Sequence, residues 1–530
     1  MRDRLERVLD SLERLASRPL GAFVLFFLAL AVYALRAVGW PLIGGRDLDE
    51  YLYGYIQLLD WHPLLPWSVL FRTPATPVVA GSLLDFAGGA FAEPVLAVLF
   101  AASVVAWAAA ARAFGARAAL LVAAVLLVYP AYALMFHELS SETFFAAAFA
   151  LWALLVTRAA RRPSARAFVF AGLGVALLAL VRPGNGLLAA FALFPFALGD
   201  RLRERVTWAG AFLVAAILPL AGWAVLNGVR LGDYTLARGG NAVVPFYRAF
   251  ISDRIVAPNN GPASRRLATA VRQHLVTRNP YRAYGVTVGQ VFSSGSFRIH
   301  EDLYLLSDHV FGWKSNYSVL RKAGIEAVRK HPGKYASGVS HTVWHELSKS
   351  FFRVNPSSSS RSSKPVTVEV KGRRLPAPTE GQPIPAGQNV WISRPDNSIR
   401  DVWTSATKHH FVFAKPKQRA RFEQIVRERD RLFAALPDRQ GNAQLSLRLN
   451  QLSRWFPRPI IWIVLGLIGL VWRRPAGAST MVALGLAALL VIVFNALGLF
   501  ADPHFALPVA PAFVLFGSAA LLGRRRGEVW

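Results

Sequence analysis

The chain has 530 residues, 54% of them hydrophobic and only 17% charged, with a mean hydropathy of +0.35. That composition excludes a purely soluble enzyme and points to a polytopic membrane protein. The formal charge is +29, from 60 Lys and Arg against 31 Asp and Glu, and the lack of cysteine rules out disulfides, thiolate metal sites and thiol nucleophiles.

The first 18 residues carry Arg2, Arg4, Arg7, Arg14 and Arg18 ahead of an apolar run with no small-residue cleavage site, the pattern of a retained signal anchor with a cytoplasmic N-terminus. A spanning helix needs about 20 apolar residues, and runs near 15 suffice inside a bundle. On that basis the spans fall at 19–38, 94–113, 118–135, 143–157, 167–181, 186–198, 207–227, 459–472, 480–500 and 505–522. The fold class expected is mainly α: a membrane helical bundle of about ten spans, with both termini inside.

Arginine gathers in alternate connections: Arg112 and Arg117; Arg158, Arg161, Arg162 and Arg166; Arg201, Arg203 and Arg205; Arg473 and Arg474; Arg524, Arg525 and Arg526. Lys and Arg are held back on the cytoplasmic side, so most of the positive charge is a topological signal. The other connections are poor in Arg and rich in chemistry.

Between the first two spans, 41–93 interleaves Trp61, Trp67, Phe71 and Phe86 with polar residues, as suits a headgroup layer, and 74–86 reads as an interfacial helix. Its start, Gly44-Gly45-Arg46-Asp47-Leu48-Asp49-Glu50-Tyr51, holds three carboxylates within four residues. They suit a general base or the ligands of a divalent cation, Mg or Mn. Helical spacing puts Asp47 and Glu50 on one face and Asp49 elsewhere. The bland reading is an acidic first turn that favours the helix dipole.

The second outer connection holds His137, Glu138 and Glu142, with the two acids four apart; Ser140 or Ser141 as a helix cap is the structural alternative. Arg182 ends the fifth span before Pro183-Gly184, placed for a phosphate or for snorkelling to headgroups. Asp502 and His504 open the last span, where a protonated His would meet phosphate.

From 228 to 458 the hydropathy collapses into a large outer domain, with helices expected at 263–276, 319–330, 335–352, 419–436 and 444–455 and a Ser-, Pro- and Gly-rich flexible excursion at 355–389. His341 and His345 lie one turn apart beside Glu346 but lack the His-Glu-x-x-His order of a zinc protease. Tyr335, Trp344, Phe351 and Phe352 read as that helix's packing face. Arg248, Arg254, Arg265, Arg266, Arg321 and Lys322 are read as contacts for lipid phosphates or an acidic polymer. A domain outside the cell argues against nucleic acid.

Taken together, these motifs resemble the GT-C superfamily of polytopic glycosyltransferases, in the branch of the protein O-mannosyltransferases and the lipid A aminoarabinose transferases. The resemblance rests on Asp49-Glu50-Tyr51 in the first outer loop, Ser141-Glu142 before Thr143-Phe144-Phe145, Leu180-Val181-Arg182-Pro183, and His504-Phe505-Ala506-Leu507-Pro508 with Pro511. At position 504 a His stands where that family has Arg. The resemblance covers both membrane portions and touches the outer domain only loosely.

It implies an inverting hexosyl- or pentosyltransferase of the cell envelope. Such an enzyme takes a sugar from a polyprenyl-phosphate donor to a hydroxyl of a glycan, lipid or protein acceptor. Asp49, with Asp47 and Glu50, then carries catalysis, directly or through a cation on Asp47 and Asp49. Arg182, His504 and Arg72 meet the donor phosphate, and His137, Glu138 and Glu142 hold acceptor or sugar. The competing readings are a transporter or flippase for lipid-linked glycan, a glycan polymerase or ligase, and a scaffold binding wall polymer. Ala-, Leu- and Arg-rich usage suggests a bacterial plasma membrane.

Overall fold

The computed structural model describes residues 19–45, 47–86, 88–199, 201–278, 281–282, 285–349, 368–370, 373–375, 391–392, 396, 398–403, 409–437, 441–454, 456–499 and 503–525. The basic N-terminus and nearly all of the 355–389 excursion lie outside these residues.

The architecture is mainly helical. In chain order come α1 (Pro19–Gly39), β1 (Ile43–Gly44), α2 (Leu48–Gln57), α3 (Pro66–Leu70), α4 (Ala75–Phe86), α5 (Gly88–Arg112), α6 (Ala116–Val128), α7 (Pro130–Met135) and β2 (Glu138–Leu139). The bundle continues with α8 (Ser141–Arg161), α9 (Ala165–Val181), a 3₁₀ stretch Pro183–Ala197 and α10 (Leu202–Leu231). Among the described residues, five helices are long and apolar enough to cross a membrane: Leu20–Gly39, Ala90–Arg112, Ser141–Arg161, Leu202–Leu231 and Ala478–Gly498. The other expected spans are shorter apolar helices.

One expected span, 118–135, is broken. Pro130 has no N–H to give and crowds the turn before it, so α6 ends at Val128 and α7 begins with the proline. The carbonyls freed by the break are met by Arg36 of α1, which donates to Leu127 O (3.2 Å), Val128 O (3.3 Å), Tyr129 O (3.4 Å) and Pro130 O (2.9 Å). The break thus ties the first span to the third.

The bundle has two chemically different ends. At one, Arg524 N–H donates to Phe114 O (2.7 Å) and accepts at its own carbonyl from Ala476 N–H (2.8 Å), so the basic connections near 112–117, 473–476 and 523–525 meet. At the other, the acid-bearing connections meet, as described below.

The stretch expected to form the outer domain starts with α11 (Arg238–Val243) and holds, among its helices, α12 (Pro262–Ala270), α13 (Val288–Ser293), α14 (Phe297–Phe311), α15 (Ser318–Lys330) and α16 (Pro332–Ser348). They close over a separate apolar core that includes Phe246, Phe250, Leu267, Leu303, Leu306 and Leu320. A three-stranded antiparallel sheet of Trp391–Ile392, Ile399–Trp403 and His409–Phe413 precedes α17 (Pro416–Ala434), and α18 (Ala443–Arg454) leads back to the membrane. The last helices are α19 (Pro459–Arg473), α20 (Ala478–Gly498), α21 (Pro503–Ala506) and α22 (Ala510–Leu522).

Two expectations for this domain need correction. Arg248 is buried, not offered to lipid: Nε and Nη2 bind Asp253 (3.0 and 3.2 Å), and Nη1 binds Thr342 Oγ1 (3.0 Å), Ala496 O (2.8 Å) and Leu499 O (3.0 Å). With Tyr335 Oη on Leu497 O (2.6 Å), it caps the end of α20, where helix carbonyls lack partners of their own. Trp344 is exposed, so it is not on a packing face of α16. Phe351 and Phe352 lie outside the described residues.

Candidate active site

The acidic helix is set in place by a short parallel pairing between two acid-bearing connections. Ile43 pairs with Glu138 and Gly44 with Leu139, and Gly45 N–H donates to Leu139 O (3.1 Å). A Cβ on Gly45 would stand 2.6 Å from Ser140 Cβ and 2.9 Å from Leu139 O, so the close approach requires glycine. The pairing brings the start of α2 beside the start of α8.

Asp47 is the N-cap of α2 but makes no capping hydrogen bond. Its carboxylate turns instead to Arg72, 3.2 Å from Nη2. Arg72 also donates to Glu50 Oε2 through Nη2 (2.6 Å) and Nε (2.9 Å), and its guanidinium lies 5.0 Å from the centre of the Tyr51 ring. Burial opposes its charge. The Tyr51 hydroxyl and the carboxylates of Glu50 and Asp47 outweigh that penalty and hold its pKa above the ordinary arginine value.

The α8 side completes the cluster. Glu142 accepts from Arg182 Nη2 at Oε1 (2.6 Å) and from Ser141 Oγ at Oε2 (3.1 Å). Neither serine acts as the expected cap, because N-cap Ser140 makes no side-chain capping bond and Ser141 is turned to the acid. Tyr51 joins the two halves. Burial pushes its hydroxyl up, Arg72 pulls it down, and Ser141 shares a hydrogen bond with it. Arg182 sits 5.5 Å from the centre of the Phe505 ring, which brings the C-terminal segment to the same place. Thr76 Oγ1 of α4 bonds Val181 O (3.2 Å) directly before Arg182.

The cluster therefore joins Asp47, Glu50 and Tyr51 of α2, Arg72, Ser141 and Glu142 of α8, Arg182 and Phe505. Not every expected residue belongs to it. Asp49 is exposed and, at 100° per residue, faces away from Asp47; among the described residues it has no ion-pair partner. His137 is fully buried, stacked on Tyr33 at 3.9 Å, with neither ring nitrogen hydrogen-bonded, and burial pushes its pKa down to about 3. It is a neutral packing ring. Glu138 is buried in β2, where its backbone carbonyl accepts from Thr143 Oγ1 (2.6 Å). His504 falls within α21, but its side chain lies outside the described residues, as does Asp502.

A divalent cation does not fit these acids. Asp47 and Asp49 do not share a face, a guanidinium already bridges Asp47 and Glu50, and among the described residues no three His, Asp or Glu side chains stand together as metal ligands. Sequence reasoning missed Phe505 as a partner of Arg182 and Tyr51 as a link; both lay inside the motifs, but nothing in the spacing showed whom they would meet.

Residues 82–223 match the family model for dolichyl-phosphate-mannose-protein mannosyltransferase. That stretch holds Glu142 and Arg182, and it supports the resemblance to GT-C glycosyltransferases. Among solved structures, the apo oligosaccharyltransferase of Archaeoglobus fulgidus is 12% identical with a TM-score of 0.39, covering 95% of this chain and 50% of that one. ArnT from Cupriavidus metallidurans bound to undecaprenyl phosphate is 14% identical with a TM-score of 0.32, covering 95% and 78%. The chain thus spans half the length of the archaeal enzyme. No curated protein matches it.

Proposed function

We propose that this multi-pass membrane protein is a glycosyltransferase that moves a sugar, with inversion, from a polyprenyl-phosphate donor to an acceptor hydroxyl on the extracytoplasmic side. The observation that carries the reading is the meeting of Asp47, Glu50, Arg72, Glu142 and Arg182 at one rim of the bundle, from segments as far apart as 47 and 182.

Transfer of this kind makes two demands. A base must take the acceptor's proton, and positive charge must receive the phosphate that leaves. The cluster supplies both within hydrogen-bonding range. Asp47, at the open end of α2 and 3.2 Å from Arg72, is assigned as the base in place of Asp49, which lies on the other face. Glu50, bonded twice to Arg72, aims the guanidinium. Arg182 and Arg72 receive the phosphate, and Glu142 holds Arg182 until the donor arrives. Position at the rim favours transfer over transport, because transporters place their charged groups near the membrane midplane.

The test is purified protein in proteoliposomes, given radiolabelled polyprenyl-phosphate hexoses and pentoses with an envelope extract. Label moving to an acceptor, and lost in Asp47→Ala, supports the assignment. Label that crosses the bilayer still on its carrier would make the protein a transporter, and addition of preassembled glycan would make it a polymerase or ligase.

A further inference from the structure

Arg238 is fully buried where the bundle passes into the outer domain. Nη1 donates to Asp233 Oδ2 and to the Trp313 carbonyl (both 2.9 Å), Nη2 donates to Asp308 Oδ1 (2.6 Å), and the guanidinium lies 3.7 Å from the centre of the Trp313 ring. A cation bonded on this many sides in a dry setting cannot shift without losing several contacts at once. The next residue, Gly239, gives its N–H to the carbonyl of Phe71 (3.2 Å). A Cβ on Gly239 would stand 2.7 Å from that oxygen and 3.2 Å from the Phe71 ring. Phe71 directly precedes Arg72, lies 5.8 Å from its guanidinium and rests against Tyr304 of the outer domain at 5.9 Å.

We propose that Gly239, locked by Arg238, is a positioning residue for Arg72, so that the outer domain decides where the phosphate-facing guanidinium stands between Glu50 and Asp47. The proposal rests on the donor-phosphate role given to Arg72 above. It also gives the outer domain a task in the reaction that requires no contact with substrate.

Gly239→Ala is the test, with Gly240→Ala as its control. Both lie in α11, where alanine is the better helix former, but a Cβ on Gly240 meets nothing within 4 Å. In the full-length protein, phenylglyoxal labelling of Arg72, followed by mass spectrometry, should be about tenfold faster in Gly239→Ala than in wild type, as for a segment that opens locally. Gly240→Ala should label as wild type does. Affinity for polyprenyl phosphate in nanodiscs should fall about tenfold in Gly239→Ala, and Arg72→Ala/Gly239→Ala should be no weaker than Arg72→Ala alone. Equal labelling in all three proteins, or additive losses in the double variant, would overturn the proposal. Wild type that binds no polyprenyl phosphate would remove the carrier reading, and the labelling result would still judge the brace. If Gly239→Ala does not fold, Tyr304→Leu, which removes the ring resting on Phe71, takes the same comparison.

Discussion

Arg238 and Arg248 in the outer domain and Arg72 and Arg182 at the rim of the bundle all bind carboxylates at distances between 2.6 and 3.2 Å. What separates them is their surroundings. The outer-domain side chains are 1% and 3% exposed and bond backbone carbonyls as well as acids, whereas Arg72 and Arg182 are 27% and 18% exposed. The first pair is closed on every side and works as a staple. The second is partly exposed, as the phosphate-receiving role proposed for it requires.

That contrast predicts different failures. The largest effect is expected from Asp47→Ala, which should cut sugar transfer about 10²- to 10⁴-fold, the usual worth of a general base, while the melting temperature stays put. A matching fall in melting temperature would move Asp47 to the staples. Arg238→Ala should do the reverse, costing about 3–5 kcal/mol of stability because Asp233 and Asp308, each only 11% exposed, are left without their cation. Unfolding close to that of wild type would dissolve the distinction.

Arg182→Ala should lower donor turnover about a hundredfold with little change in stability, and Arg182→Lys should recover part of it. Asp308 gives a pH readout confined to the closed side. Burial pushes its carboxyl up to about 6, with Arg238 opposing, so between its unfolded value of 3.8 and 6 the native state binds the extra proton. Its contribution to stability therefore falls as pH rises through that window. Asp308→Asn should flatten this part of the melting-temperature profile, and an unchanged slope would remove the assignment. The smallest effect belongs to the exposed Arg419 and Glu423 pair, where Arg419→Ala should change stability by no more than about 0.5 kcal/mol.

Some of this was open to reading along the chain. Hydropathy over windows of 15 to 20 residues depends only on neighbours in sequence, so helices such as Ser141–Arg161 and Ala478–Gly498 fall close to where the apolar runs place them. The same local rule separates Asp47 and Glu50 from Asp49, because helical pitch needs no knowledge of the fold. It did not find the break at Pro130, through which the expected span 118–135 ran, nor its repair by Arg36.

Partnership across long separations was decided by the tertiary structure alone. Arg72 meets Glu50 and Asp47, Arg182 meets Glu142 across 40 residues, and Arg238 finds Asp308 across 70, in each case because helices and a two-residue parallel pairing bring distant segments to one point. Residue type announces that a charge needs a partner and periodicity announces the face it takes. Which partner lies opposite is a property of three-dimensional packing, and that same packing makes one arginine a staple and leaves another partly exposed.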